Sequence, residues 1–148
     1  MAKREIEATG TSAAAPEAVW ALLADITTWS SWGAWDSAVL RSEAPGGGEA
    51  VGAVRELRLG RNRSVEELTA LEPGRRMAYR LIGGNLPVRD YAAEVTLAPT
   101  PEGGTAIAWR SGFHAKLPGA GGMIARRLEP FLADTIQRVA RAAEARGR

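Results

Sequence analysis

Cysteine is absent from the chain, which excludes disulfides, thiolate metal sites and cysteine nucleophiles outright. Histidine occurs once, as His114, so a three-histidine zinc site is excluded, as is a catalytic constellation that needs two imidazoles. What remains calls for no metal and no cofactor. Long apolar runs are also missing, and Met1 to Glu7 is charged where a secretion signal would be apolar. The expectation is a soluble, cytoplasmic protein without integral membrane association. Nor does one sign of charge dominate. The pI is near 9.5, yet the net charge is only +2, and acids and bases alternate in Arg55-Glu56-Leu57-Arg58 and Arg63-Ser64-Val65-Glu66-Glu67. Such a mixed surface argues against nucleic acid as a partner. There are no repeats and no low-complexity tail, and the run Glu43 to Glu49, with Pro45 and three glycines, reads as a flexible loop. At 148 residues the chain fits a single domain, 1–148, large enough to bury a core. The sequence leaves the oligomeric state open.

The segment from Ala120 to about Ala145 alone reads as a long amphipathic helix. Ile124, Leu128, Phe131, Leu132, Ile136 and Val139 follow the three-and-four spacing that gathers side chains into one stripe. Such a helix needs a surface to lie on. Pro130 falls inside it, where a missing N–H predicts a kink or a division. Earlier in the chain, Lys3 to Thr11 alternates as a half-exposed strand does. Pro16 and Glu17 suit the first turn of a short helix whose buried side is Val19, Trp20, Leu22 and Leu23. Asp25 is placed to cap the next turn, with Thr27 or Thr28 competing. Trp29, Trp32 and Trp35 then form a cluster that reads first as a plug for one end of the core, and alternatively as a ligand-stacking platform.

From Asp36 to Phe113 the pattern is strands and tight turns, with strands expected at 36–41, 52–59, 63–71, 75–82, 88–98 and 104–114. Glycine- and proline-rich turns separate them at Gly60-Arg61-Asn62, Pro73-Gly74, Gly83-Gly84-Asn85 and Pro99 to Gly104. Short connections between successive strands imply an antiparallel meander. The expected class is α+β: one strand, two short helices, about six more antiparallel strands and a long C-terminal helix.

Three stretches resemble a known family. They are Ala15-Pro16-Glu17-Ala18-Val19-Trp20-Ala21-Leu22-Leu23-Ala24-Asp25 followed by Trp29 and Trp32, then Glu67-Leu68-Thr69-Ala70-Leu71-Glu72-Pro73-Gly74-Arg75-Arg76-Met77-Ala78-Tyr79, and Gly104-Thr105 leading into Trp109. With them the chain resembles the START-like (SRPBCC) superfamily, which includes polyketide cyclases and dehydratases, lipid-transfer domains and pollen-allergen-type ligand carriers. The resemblance implies a helix-grip fold, in which a curved seven-stranded antiparallel sheet wraps around the C-terminal helix and encloses a ligand cavity. It does not choose between enzymes and carriers.

Strand parity predicts the cavity wall. Tyr91, Val95 and Leu97, Ile107, Trp109 and Phe113, and Met77, Tyr79 and Leu81 share the apolar face, and Arg89 and Ser111 fall on the same parity. If Gly60-Arg61-Asn62 closes as a three-residue loop, Arg55 faces Glu67 across the ladder on the inner face with Ala53, Leu57, Leu59, Val65 and Leu71. A two-residue type II turn at Pro73-Gly74 would instead turn Glu67 outward, and a bulge or a longer loop would return it. His114 has outward parity and reads as a surface residue. On this reading Glu67, Arg55 and Tyr79 are the candidate catalytic residues. Arg89, Tyr91, Trp109, Ser111, Leu128, Phe131, Leu132 and Thr135 are the candidate ligand-binding residues. The expected ligand is a small hydrophobic molecule, aromatic or polyketide-like. In the enzymatic version, a polyketide cyclase, aromatase or dehydratase, Arg55 or Arg89 stabilises an enolate, Glu67 moves the proton, Tyr79 or Tyr91 donates to a carbonyl and Trp109 stacks. The alternative is a non-catalytic carrier or sensor of a lipid or other hydrophobic ligand. The glycine-rich Lys116 to Gly122 loop is a candidate gate.

Overall fold

Alternating strands and one long amphipathic helix assemble as their periodicities require. The computed structural model describes residues 3–146. Strand β1 (Arg4–Ser12) leads into α1 (Pro16–Leu23), a single 3-10 turn (Ile26–Thr28) and α2 (Trp29–Trp32). Six strands follow: β2 (Ser37–Ser42), β3 (Val54–Leu59), β4 (Asn62–Glu72), β5 (Arg76–Gly84), β6 (Val88–Pro99) and β7 (Thr105–Ala115). Helix α3 (Gly121–Arg146) completes the order. Each of these six lies within two residues of its expected bounds. The seven strands form one antiparallel sheet in the order β1-β7-β6-β5-β4-β3-β2, so only β1 departs from the meander, returning to pair with β7.

Helix α1 starts on Pro16, whose fixed φ suits the first helical position and whose missing N–H is no loss there. The Asp25 side chain accepts from the Thr27 N–H at 3.0 Å and caps the 3-10 turn. Helix α3 runs unbroken through Pro130, so the expected division does not occur. Pro130 is exposed on the face away from the sheet.

The two halves of α3 meet different surroundings. In the C-terminal half, Ile136, Val139 and Ala143 are fully buried as the helix packs on β1 and α1. Burying each large aliphatic side chain contributes about 1.5–3 kcal/mol. The Ser12 hydroxyl donates to the Ala140 carbonyl at 3.0 Å, and the Ala13 N–H to Glu144 at 3.0 Å, pinning the end of β1 to this half. In the N-terminal half, Ile124, Leu128 and Phe131 are only partly buried. The seam between helix and sheet is thus filled at one end and hollow at the other.

Turn chemistry sets which side chains enter that hollow. The β3–β4 hairpin closes on two residues, Gly60 and Arg61, with Leu59 opposite Asn62. Gly60 has φ +59°, the positive value that a Gly-X hairpin turn takes at its first position. Arg55 therefore faces Glu66, and the expected pairing with Glu67 is corrected by one residue. The β4–β5 connection has three residues, with Glu72 opposite Arg76, and β4 also bulges at Thr69, between Leu68 and Ala70. Either device alone would have turned Glu67 inward. Together they invert the parity twice, so Ser64, Glu66 and Leu68 point in while Val65 and Glu67 point out.

Candidate functional site

The hollow end of the seam is a cavity of about 530 Å³. Its closed end is built from buried side chains: Trp29, Leu57, Glu66, Tyr79, Tyr91, Trp109, Leu132 and Thr135. Its open end is marked by exposed ones, namely Asn62, Pro87, Met123 and Arg127. Between them Trp35, Leu128 and Phe131 form the flank.

Aromatic rings give the cavity its shape. Trp29 is the hub, with ring centroids 5.2 Å from Trp35, 5.4 Å from Trp32 and 6.0 Å from Trp109, the last edge-on. Trp35 meets Phe131 of α3 edge-on at 5.7 Å, which links the tryptophan cluster to the helix. Such offset and edge-on contacts are the favoured ring geometries. Trp35 can sit there because Gly33 has no side chain. A Cβ at Gly33 would lie 2.4 Å from the Trp35 ring and 2.8 Å from the Trp29 carbonyl oxygen. The cluster is thus core and cavity wall at once: Trp29 and Trp35 line the space, and Trp32 packs behind them.

A buried ion pair stands at the closed end. Arg55 is fully buried, and its Nη2 donates to Glu66 Oε1 at 3.0 Å. Its guanidinium lies over the Trp29 ring at 4.6 Å and the Tyr79 ring at 5.2 Å, and Nη1 contacts the Met77 sulfur at 3.6 Å. A second carboxylate, Glu49, reaches to 3.7 Å from Nη1 and accepts the Ile26 N–H at 2.9 Å. One guanidinium thus serves two acids. Burial pushes the Glu66 carboxyl above its ordinary range, and the charge and hydrogen bond of Arg55 only partly oppose it. Glu49 is raised in the same way, tempered by the Ile26 N–H and Arg55. Desolvation consumes much of the Coulomb gain of such a pair, so stability alone does not account for it. Arg55 does not reach the cavity surface; Glu66 does.

The remaining polar groups are largely engaged. Trp109 Nε1 donates to the Tyr79 hydroxyl at 3.0 Å, and the Tyr79 hydroxyl in turn bonds to Tyr91. The Tyr91 and Ser111 hydroxyls bond at 2.8 Å. Burial drives both phenols well above their usual range, so they remain protonated donors. Thr135 donates to the Phe131 carbonyl within α3 at 2.8 Å.

Of the residues expected from sequence, Tyr79, Tyr91, Trp109, Leu128, Phe131, Leu132 and Thr135 line the cavity. Arg55 stands behind its wall, and Ser111 is off the wall, bonded to the Tyr91 that lines it. Glu67 is on the outer face, bonded to Arg80 Nε at 2.8 Å. Arg89 is exposed and bonds to the Lys116 carbonyl. Its expected inward position is undone by a bulge between Arg89 and Ala92, where Asp90 takes φ +52°. His114 is half-buried, with Asp90 3.6 Å from Nδ1. Glu66, Glu49, Ser64 and Arg127 were missed. A two-residue Gly-X reading of the β3–β4 turn would have found the first and third.

A long helix gripped by a seven-stranded antiparallel sheet is the helix-grip fold of START-like proteins. The chain belongs to the polyketide cyclase/dehydrase and lipid transport family, whose model matches residues 3–144. Among solved structures it is similar to the ZhuI aromatase/cyclase of Streptomyces sp. R1128, at 21% identity and a TM-score of 0.84, covering 99% of this chain and 97% of that one. It is also similar to the XoxI protein of Bacillus cereus, at 18% identity and 0.76, covering 100% and 99%. A START superfamily protein of Mycobacterium smegmatis aligns at 15% and 0.74, covering 96% and 95%. At these identities the structures speak to the fold. No curated protein matches the chain. Among the described residues no helix is long and apolar enough to cross a membrane.

Proposed function

We propose that the chain binds a small apolar molecule, aromatic or polyketide-like, in the cavity between the sheet and α3, and that Glu66 moves protons there in a cyclisation and dehydration. The observation that carries this reading is a buried carboxylate, raised above its ordinary range, on the wall of an aromatic-lined cavity. A volume of about 530 Å³ suits a molecule of a few fused rings. A carboxyl held above its ordinary range is a stronger base than an exposed one. Glu66 takes a proton from a carbon flanked by two carbonyls, that carbon attacks a third carbonyl further along the ligand chain, and the proton passes to the new alkoxide. A second proton from the same carbon follows the same route onto the departing hydroxyl. One water leaves, a carbon–carbon double bond remains, and Glu66 ends as it began. Tyr79 turns its hydroxyl proton from Tyr91 to a carbonyl oxygen of the ligand, Trp29 and Trp109 flank the rings, and Arg55 orients Glu66 from behind. The proton-moving part expected of Glu67 thus falls to Glu66.

The test is turnover of a synthetic linear poly-β-ketone, followed by the absorbance of the aromatic product. Glu66→Gln keeps the hydrogen bond from Arg55 and should retain ligand binding while losing turnover. Unchanged turnover would remove Glu66 from the mechanism. The carrier reading draws on a different observation: Tyr91, Ser111 and Thr135 already have partners inside the protein. Ligand binding by the wild-type chain without any turnover would favour it.

A further inference from the structure

Among the described residues, only two charged ones line the cavity, Glu66 at the closed end and Arg127 at the open end. Their situations differ. Glu66 has its counter-ion in Arg55, whereas Arg127 has no acid partner among the described residues. Other arginines, among them Arg4, Arg61, Arg89 and Arg126, also lack an acid partner among the described residues, and what sets Arg127 apart from them is its place on the cavity wall. The first turn of α3, which precedes Arg127 on the helix, holds no acid either. An apolar container with one uncompensated cation at its mouth selects for a ligand whose apolar body enters first and whose anionic end stays at the rim.

Building on the cavity reading above, we infer that the ligand is an amphiphilic acid: an apolar, ring-bearing body that packs against Trp29, Trp35 and Trp109, and a terminal carboxylate held by Arg127. The planar guanidinium suits two parallel hydrogen bonds to a carboxylate. It fixes the direction of entry and presents the far end of the ligand to Glu66. The opposite polarity is disfavoured at the closed end, where two carboxylates, Glu49 and Glu66, already share one guanidinium.

The test uses anthracene carboxylate and its neutral carboxamide, titrated against tryptophan fluorescence in wild-type, Arg127→Gln and Arg127→Lys proteins. Arg127 is exposed, so both variants should fold as the wild type does. In wild type the carboxylate should bind about tenfold more tightly than the carboxamide. Arg127→Gln should abolish that difference by weakening the carboxylate alone. Arg127→Lys should restore part of it, and added salt should weaken the acid but not the amide. Binding of both probes with equal affinity, or with a difference that survives Arg127→Gln, overturns this inference and leaves the cavity reading standing. Binding of neither probe by the wild-type chain overturns both.

Discussion

Replacing Arg55 with Met tests the buried cluster most severely. Met keeps an unbranched apolar chain between Trp29 and Tyr79 but removes the guanidinium 3.0 Å from Glu66 and 3.7 Å from Glu49. Breaking a buried pair by deleting one partner costs about 3–5 kcal/mol, because a charge is left without compensation. Loss of the two ring contacts adds about 0.5–2 kcal/mol. Glu66 can escape part of this penalty by taking up a proton. Without Arg55 its folded-state pKa lies still further above the unfolded value, and the native state holds a proton that the unfolded chain releases. That stability is fully present below the unfolded pKa and is lost as the pH rises through the folded one. The penalty should therefore be smaller in acid than at neutral pH. Adding Glu66→Gln to the Arg55→Met chain should recover about 1–3 kcal/mol at neutral pH, since the stranded charge is gone. Urea unfolding of the single and double variants, followed by tryptophan fluorescence at acid and neutral pH, measures each quantity. A penalty that does not change with pH and is not relieved by Glu66→Gln would refute the argument.

In the otherwise wild-type chain, the raised pKa of Glu66 means that stability falls as the pH rises from about 4.5 through its folded value; Glu66→Gln should flatten that slope in urea titrations across the same range. Gly33→Ala forces the Trp35 ring to move by placing a Cβ 2.4 Å from it; unfolding should show a loss of about 1–3 kcal/mol, with weaker ligand binding from the displaced wall. Tyr91→Phe leaves the buried Ser111 hydroxyl without its partner and should lose about 1–2 kcal/mol; Ser111→Ala in the same chain should return much of it.

The elements were legible in the sequence because their signals are local. Pro16 marks the start of α1, the stripe from Ile124 to Val139 marks α3, and glycine and proline punctuate the strands. Inner-face residues such as Met77, Tyr79, Trp109 and Leu57 followed from parity wherever a strand was regular. Parity failed where the ladder gains a residue that no propensity announces. The bulge at Asp90 took Arg89 out of the wall, and a β3–β4 turn one residue shorter than the expected loop exchanged Glu67 for Glu66. Because the side-chain period of a strand is two, one inserted residue changes the chemistry of a site while leaving its fold intact. Glu49 was illegible for a different reason: it comes from a loop, and only the folded chain brings it to Arg55 and Ile26.

The central claim is that the seam beside the N-terminal half of α3 is hollow so that an apolar ring-bearing ligand can enter it. Ser64, a small residue on the inner face of β4, lines that space, and Ser64→Phe would fill part of it. Calorimetric titration of anthracene carboxamide into the wild-type and Ser64→Phe chains tests the claim most directly. The expected result is one-to-one binding by the wild type and loss of binding by a Ser64→Phe chain of unchanged thermal stability. Equal binding by both chains, or none by the wild type, would contradict it.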